Sequence, residues 1–193
     1  NPGMGVVELG KQIVDDYVYS YAQGEWSDAG YTGYDLNLID LAQIPAADAA
    51  LNAFARAVQA NSRSVMSAIG DARNNAQFFG GSTPDEADLQ SSIDLIHFLT
   101  LLMDFSDNAE VNQAAADLRA AVEALVVHHA ASAALPGANG VAIYFPRNQR
   151  VYNQNALYTG DYAVEVAYLP DWQSFLSVFY GETVAAIPPA VAA

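Results

Sequence analysis

Between Ile93 and Phe105 the chain reads Ile-Asp-Leu-Ile-His-Phe-Leu-Thr-Leu-Leu-Met-Asp-Phe, apolar around nearly every side of a helix. A surface helix keeps a polar face, so a helix without one must be covered on most sides. The segment therefore reads as the spine of a domain, and other helices or a sheet must supply its cover. The chain is long enough to do so. Its 193 residues are 52% hydrophobic and only 15% charged, which places it among globular chains with a real core and away from disordered ones.

The same composition excludes several functions. No apolar run is long and uncharged enough to span a bilayer; the nearest, Ala114 to Leu135, carries Asp117, Arg119, Glu123 and two histidines. The net charge of −15 repels phosphate backbones and anionic lipid, so nucleic acid and membrane surfaces are poor partners. Such a surface attracts cationic substrates or divalent cations, although solubility is its commoner use. Ca2+ is compatible with the charge, but no Asp-x-Asp-x-Asp-Gly loop occurs, and no cofactor motif is present. The chain has no cysteine, which excludes disulfides, thiolate metal sites and cysteine catalysis within these residues. Its start, Asn1-Pro2-Gly3, lacks both an initiator methionine and a signal peptide, and reads as the cut end of something longer.

Helical spacing predicts an amphipathic helix over Val6 to Tyr21, with Val6, Leu9, Gly10, Ile13, Tyr17, Ser20 and Tyr21 on its buried stripe. Leu36 to Leu41 alternates with period two and predicts a strand, Leu36 and Leu38 sharing a face. Pro45 opens a long Ala-rich helical tract, Ala46 to Asn61 and Ser62 to Phe79, in which Gly70 is a candidate bend. Gly80-Gly81-Ser82 breaks the chain, and Thr83-Pro84-Asp85-Glu86 carries a capping box. Asp107 with Glu110 signals another helix start, and Val111 to Ala134 reads as one long helix ended by Leu135-Pro136-Gly137. Val141 to Phe145 predicts a short strand covered on both faces. Pro170 to Tyr180 predicts a last helix closed by Gly181, and residues 182–193 read as a linker or frayed tail.

Few residues could carry chemistry. No Gly-x-Ser-x-Gly elbow and no phosphate loop occur. Asp40 stands at a strand end, where a carboxylate either reads a cationic substrate or caps the helix that begins near Pro45; the cap is the favoured role. Asp94 and His97 lie one helical turn apart and form a candidate buried polar pair, more often structural than functional. His128 and His129, placed near a helix end, point about 100° apart there and cannot easily share a metal. Interaction with the helix C-terminus is the expected use of both. The aromatic series Tyr152, Tyr158, Tyr162, Tyr168, Trp172, Phe175 and Tyr180 suits a stacking platform, but core packing is the commoner role of such residues.

Taken in order, these segments resemble one known family. Glu8-Leu9-Gly10 leads Ile13-Val14-Asp15-Asp16-Tyr17 and Tyr21; Leu36-Asn37-Leu38-Ile39-Asp40-Leu41 precedes a helix; Ile93 to Leu99 and Gly140 to Pro146 follow; and Tyr152, Tyr158, Trp172, Phe175-Leu176 and Tyr180 complete the series. The series resembles the C-terminal part of the clostripain family of cysteine peptidases, over residues 1–181. The resemblance implies an α/β fold tending to mostly α, a helical subdomain whose few strands would complete a caspase-like sheet. It also implies a Cys/His dyad, selection of Arg or Lys in protein or peptide substrates, maturation by self-cleavage and an extracytoplasmic location. The His-Gly and Asp-x-Cys motifs of the family would lie upstream, so no catalytic position transfers to these residues. Asn37 departs from the Ser common at its position, and His97 from the Asp or Tyr common at its own.

The expected role is thus a structural subdomain whose partner is the N-terminal catalytic portion of the same protein. The alternative is a non-catalytic acidic binding or scaffold domain of the same fold, and an Asp-x-Cys upstream of Asn1 would separate the two.

Overall fold

A computed structural model of the chain describes residues 3–24, 32–79, 91–152 and 169–181. Six helices and two small antiparallel sheets occupy these residues, so the fold is mostly helical with a minor β component. The capping box at Thr83 to Glu86, Tyr158, Tyr162, Tyr168 and the tail 182–193 lie outside them.

The core is a stack of helices around the predicted spine. Helix α2 (Ile44–Ala60) opens with Pro45 in its first turn, where a missing N–H costs nothing. Helix α3 (Ser62–Asn75) follows after a break at Asn61. The bend falls there and not at Gly70, because Asn61 leaves the helical region while α3 runs unbroken through Gly70. The spine, α4 (Leu95–Phe105), packs between α3 and α5 (Ala109–Leu125), and α2 covers α5 from the other side. Helix α6 (Pro170–Phe179) packs on α2. Phe54, Val58, Ile69, Phe98, Leu102 and Leu118 meet in the shared interior, none of them exposed.

Polar contacts fix the turns between these helices. Asn108 caps α5, its Oδ1 accepting from the Val111 N–H at 3.0 Å. Its Nδ2 donates to Asn61 Oδ1 at 3.0 Å and to Ser64 Oγ at 3.2 Å, which joins the α4–α5 turn to the α2–α3 turn. Asp107 was the expected cap; the neighbouring amide takes the role because it can accept at the helix and donate across the turn at once. On the surface Arg56 pairs with Asp171, and Gln59 Nε2 donates to the Asp171 carbonyl at 3.2 Å, holding α6 to α2.

Each sheet is built from distant segments. In the first, β1 (Asp35–Ile39) pairs antiparallel with β4 (Val126–Ala131), Leu36 opposite Ala130 and Leu38 opposite His128. In the second, β3 (Ser92–Asp94) lies between β2 (Phe78–Phe79) and β5 (Ala142–Tyr144), with Ile93 opposite Ile143.

Four expectations are corrected here. The helix read over Val111 to Ala134 stops at Leu125, and its last part is β4. Val126, Val127, His128 and His129 are poor helix formers, and β1 offers them a backbone partner. Phe78 and Phe79, read as the end of a helix, form strand β2 against β3. Ile93 and Asp94 belong to β3, so the spine begins two residues later than its apolar run. The strand at 142–144 is covered mainly on one face, since Ala142 is exposed while Ile143 and Phe145 are buried.

Helix α1 (Val6–Ala22) forms as predicted but turns a different face inward. Gly10, Val14, Tyr17 and Tyr21 lie toward the first sheet, and Val14 is the buried one. A Cβ on Gly10 would stand 2.8 Å from Leu38 Cδ2, so glycine lets the helix lie this close to β1 without moving that side chain. Three residues of the expected stripe point away instead: Val6 is 84% exposed, Leu9 49% and Ile13 54%. The α1–β1–β4 layer therefore has an inner and an outer apolar face, and only the inner one is covered by the described residues.

Candidate functional site

Asp40 ends β1 and caps the 3-10 turn Leu41–Gln43, accepting from the Ala42 N–H at 3.0 Å and from Gln43 Nε2 at 3.3 Å. Its own N–H donates to the Leu125 carbonyl at 2.8 Å, across the junction where α5 becomes β4. The capping role weighed for it from sequence is thus realised one turn ahead of α2.

Asp94 and His97 are brought together, but through the backbone. The fully buried Asp94 carboxylate caps α4, accepting from the His97 N–H at 2.8 Å. Its remaining capacity goes to Asn139, whose backbone N–H donates at 2.6 Å and whose side-chain Nδ2 donates at 3.0 Å. The His97 ring turns the other way, and its Nδ1 accepts from the Gln77 N–H at 3.0 Å. A Cβ on Gly137 would fall 2.2 Å from that Nδ1, so the ring and the Gly137 backbone share one space. The pair thus locks β3, α4 and the 132–141 loop together, which is structural work for both residues.

The histidine pair lies on a strand, where successive side chains point to opposite faces. Contrary to expectation, neither histidine therefore stands in the last turn of a helix. His128 faces α1, and its Nε2 meets Asp15 Oδ1 at 2.7 Å. His129 faces the other way, with Nε2 buried, 3.7 Å from Asp35 Oδ2 and without a hydrogen bond among the described residues. It packs against Gly140, whose φ of +99° and close approach to Asn37 and His129 favour glycine there. Among the described residues no three His, Asp or Glu side chains converge as metal ligands do.

One buried cation among the described residues is not legible in the sequence. Arg73, on α3, is 3% exposed, and its Nε donates to the carbonyls of Phe145 and Pro146, each at 3.0 Å. Tyr180 donates to the same Pro146 carbonyl from the end of α6. Burial lowers the guanidinium from its ordinary value to about 10, while Tyr180 pulls it up, so Arg73 is charged at neutral pH. Burial raises the Tyr180 phenol above its ordinary 10.0, with Arg73 opposing and Tyr144 and Tyr152 adding to the rise. Both groups serve to anchor the end of β5.

A pH dependence follows. The raised value means that folded Tyr180 keeps its proton where the unfolded chain releases it, so its contribution is complete below pH 10.0 and lost as pH rises toward the folded value. At neutral pH, Tyr180→Phe removes one hydrogen bond and costs about 1 kcal/mol. Urea unfolding of both proteins is expected to show this gap shrinking above pH 10.0. A gap that stays constant through strongly alkaline buffer rejects the buried phenol.

Among the described residues one concavity is an apolar groove between α2, α5 and β5, lined by Leu51, Leu118, Val122, Val141 and Leu169, with Asp48 its single charged lining residue. Nothing in it or around the three histidines supplies a nucleophile of the cysteine type. The described members of the aromatic series behave as core: Tyr152, Trp172, Phe175 and Tyr180 are all buried. No helix among the described residues is long and apolar enough to cross a membrane.

No curated protein and no solved structure matches the chain significantly. A sequence profile does: the description "Clostripain family" covers residues 2–182, nearly the whole length, so this peptidase-related chain, whose family acts on protein substrates, belongs to the clostripain family.

Proposed function

We propose that these residues form the C-terminal portion of a clostripain-like cysteine endopeptidase, a subdomain that supports the catalytic portion and carries no nucleophile of its own. The observation that carries the reading is the uncovered layer. Val6, Leu9 and Ile13 project outward from α1, and β1 and β4 have no further strand neighbours among the described residues. A two-stranded sheet is marginal by itself, and an apolar stripe on a covering helix costs free energy while it faces water. Both are met if the N-terminal catalytic portion of the same protein extends the sheet into a caspase-like one and packs on α1. The lack of cysteine fits the same division, because the thiolate must then come from outside this chain.

In this reading residues 1–181 are the folded subdomain and 182–193 a tail. The parent acts on Arg- or Lys-containing proteins, in an extracytoplasmic setting. Asp40 remains the candidate for contact with a cationic side chain. The test is a fluorogenic Arg-peptide assay on the purified chain, on the catalytic portion, and on the two expressed together. The chain alone is expected to give no turnover, and the pair is expected to copurify. Leu9→Asp with Ile13→Asp is expected to weaken that association about tenfold or more while leaving the chain folded. Turnover by the 193 residues alone sinks the proposal, as does an association indifferent to the two substitutions.

A further inference from the structure

Asn139 and Gly140 form the chain's one Asn-Gly dipeptide. Asparagine is a chemically labile side chain, and a following glycine makes it most so, because no Cβ shields the attacking nitrogen. The Gly140 backbone nitrogen loses its proton and bonds to Asn139 Cγ. The Cγ–Nδ2 bond breaks, ammonia leaves with the proton, and a succinimide remains. Water then opens the ring to Asp or isoAsp, so the balance is one water in and one ammonia out, with no change of oxidation state.

Here the reacting group is held. Asn139 Nδ2 donates both to Asp94 Oδ1 at 3.0 Å and to the Gly137 carbonyl at 2.8 Å, and the Asn139 N–H donates to Asp94 Oδ2 at 2.6 Å. Gly140 is buried, and Asp94 is fully so. We propose that Asp94, besides capping α4, holds Asn139-Gly140 shut against deamidation, and that the reaction, once it occurs in an opened chain, is a one-way exit from this fold.

Two physical effects close the site. The side-chain amide, pinned by both of its N–H groups, cannot swing Cγ toward the Gly140 nitrogen without breaking both hydrogen bonds. A buried carboxylate alongside also disfavours the amide anion that attack requires. A third effect makes the exit irreversible. The product places a carboxylate oxygen where Nδ2 stood, facing Asp94 Oδ1 and the Gly137 carbonyl, so three acceptors meet without a donor. Two carboxylates that close cannot both be ionised. The isoAsp form also lengthens the main chain by one carbon next to Gly140.

Peptide mapping by mass spectrometry tests this on the full chain in mildly alkaline buffer, folded and in urea. Conversion at Asn139 is expected to be about tenfold or more slower in the folded chain, because it must wait for local opening. Asp94→Asn is expected to move the folded rate toward the urea rate. Equal rates for the wild-type chain in the two conditions overturn the protection, a comparison that needs no variant. Asn139→Asp, which makes the product directly, is expected to favour the unfolded chain, losing most of the wild-type stability in urea. An Asn139→Asp chain of wild-type stability overturns the one-way exit.

Discussion

Truncating Phe145 to alanine is expected to lower stability by about 3–5 kcal/mol, a large share of the roughly 5–15 kcal/mol that holds a domain of this size together. The ring is completely buried and stands edge-on to Phe98 at 5.5 Å, Trp172 at 5.6 Å, Phe175 at 5.6 Å and Phe179 at 5.1 Å between centroids. It thus joins the end of β5 to the spine helix on one side and to α6 on the other. Edge-to-face pairs add to the burial term, and the cavity left by alanine cannot close, because its walls belong to separate elements. Trp172 Nε1 donates to the Tyr144 carbonyl at 2.9 Å beside the cluster, so loosening the ring also exposes a polar contact. Urea unfolding at neutral pH measures the loss. Phe105→Ala serves as the control; that ring is 45% exposed and should change stability by about 0.5 kcal/mol or less. A Phe145→Ala loss as small as the control's would show that α6 does not depend on the cluster.

Asp94→Ala is the second large effect, expected at about 3–5 kcal/mol. Its carboxylate serves three donors from two parts of the chain, the His97 N–H and the two Asn139 groups. Alanine leaves the His97 and Asn139 backbone N–H groups without that acceptor and Asn139 Nδ2 with only the Gly137 carbonyl, and each orphaned donor costs about 1–3 kcal/mol unless water enters. Asp94→Ser separates the two halves of the role. A serine hydroxyl can cap α4 but cannot reach Asn139, so Ser should recover about 1 kcal/mol of the loss and no more. Full recovery by Ser, read from the same urea midpoints, would assign the whole effect to the helix cap.

The sequence pattern reveals this architecture where local rules and tertiary contacts agree. Helices α2 and α4 lie where the pattern places them, because their apolar positions and the contacts they find are the same signal. Asp94 was legible as half of a polar pair, but its partner was not. At the first turn of a helix the unpaired N–H of His97 competes for the carboxylate, and it wins over the imidazole, which finds Gln77 instead. Arg73 gave no signal at all. Its acceptors are carbonyls 72 and 73 residues further along the chain, so nothing near it in sequence marks it as buried. The face of α1 was misjudged for a similar reason. Gly10 looks like a weak position in a helix, yet its missing side chain is what lets the helix settle on Leu38 and turn Val6, Leu9 and Ile13 outward.

The passage from α5 straight into β4 has a kinetic consequence. Over Val126 to Ala131 the chain continues a helical pattern in its own neighbourhood but is a strand in the finished protein. Only β1, roughly ninety residues earlier, can resolve that conflict, so the segment stays undecided until a very long loop has closed. High contact order slows folding. The helical stack can assemble from nearer neighbours first, which leaves the α1–β1–β4 layer the last to commit and the first to come apart.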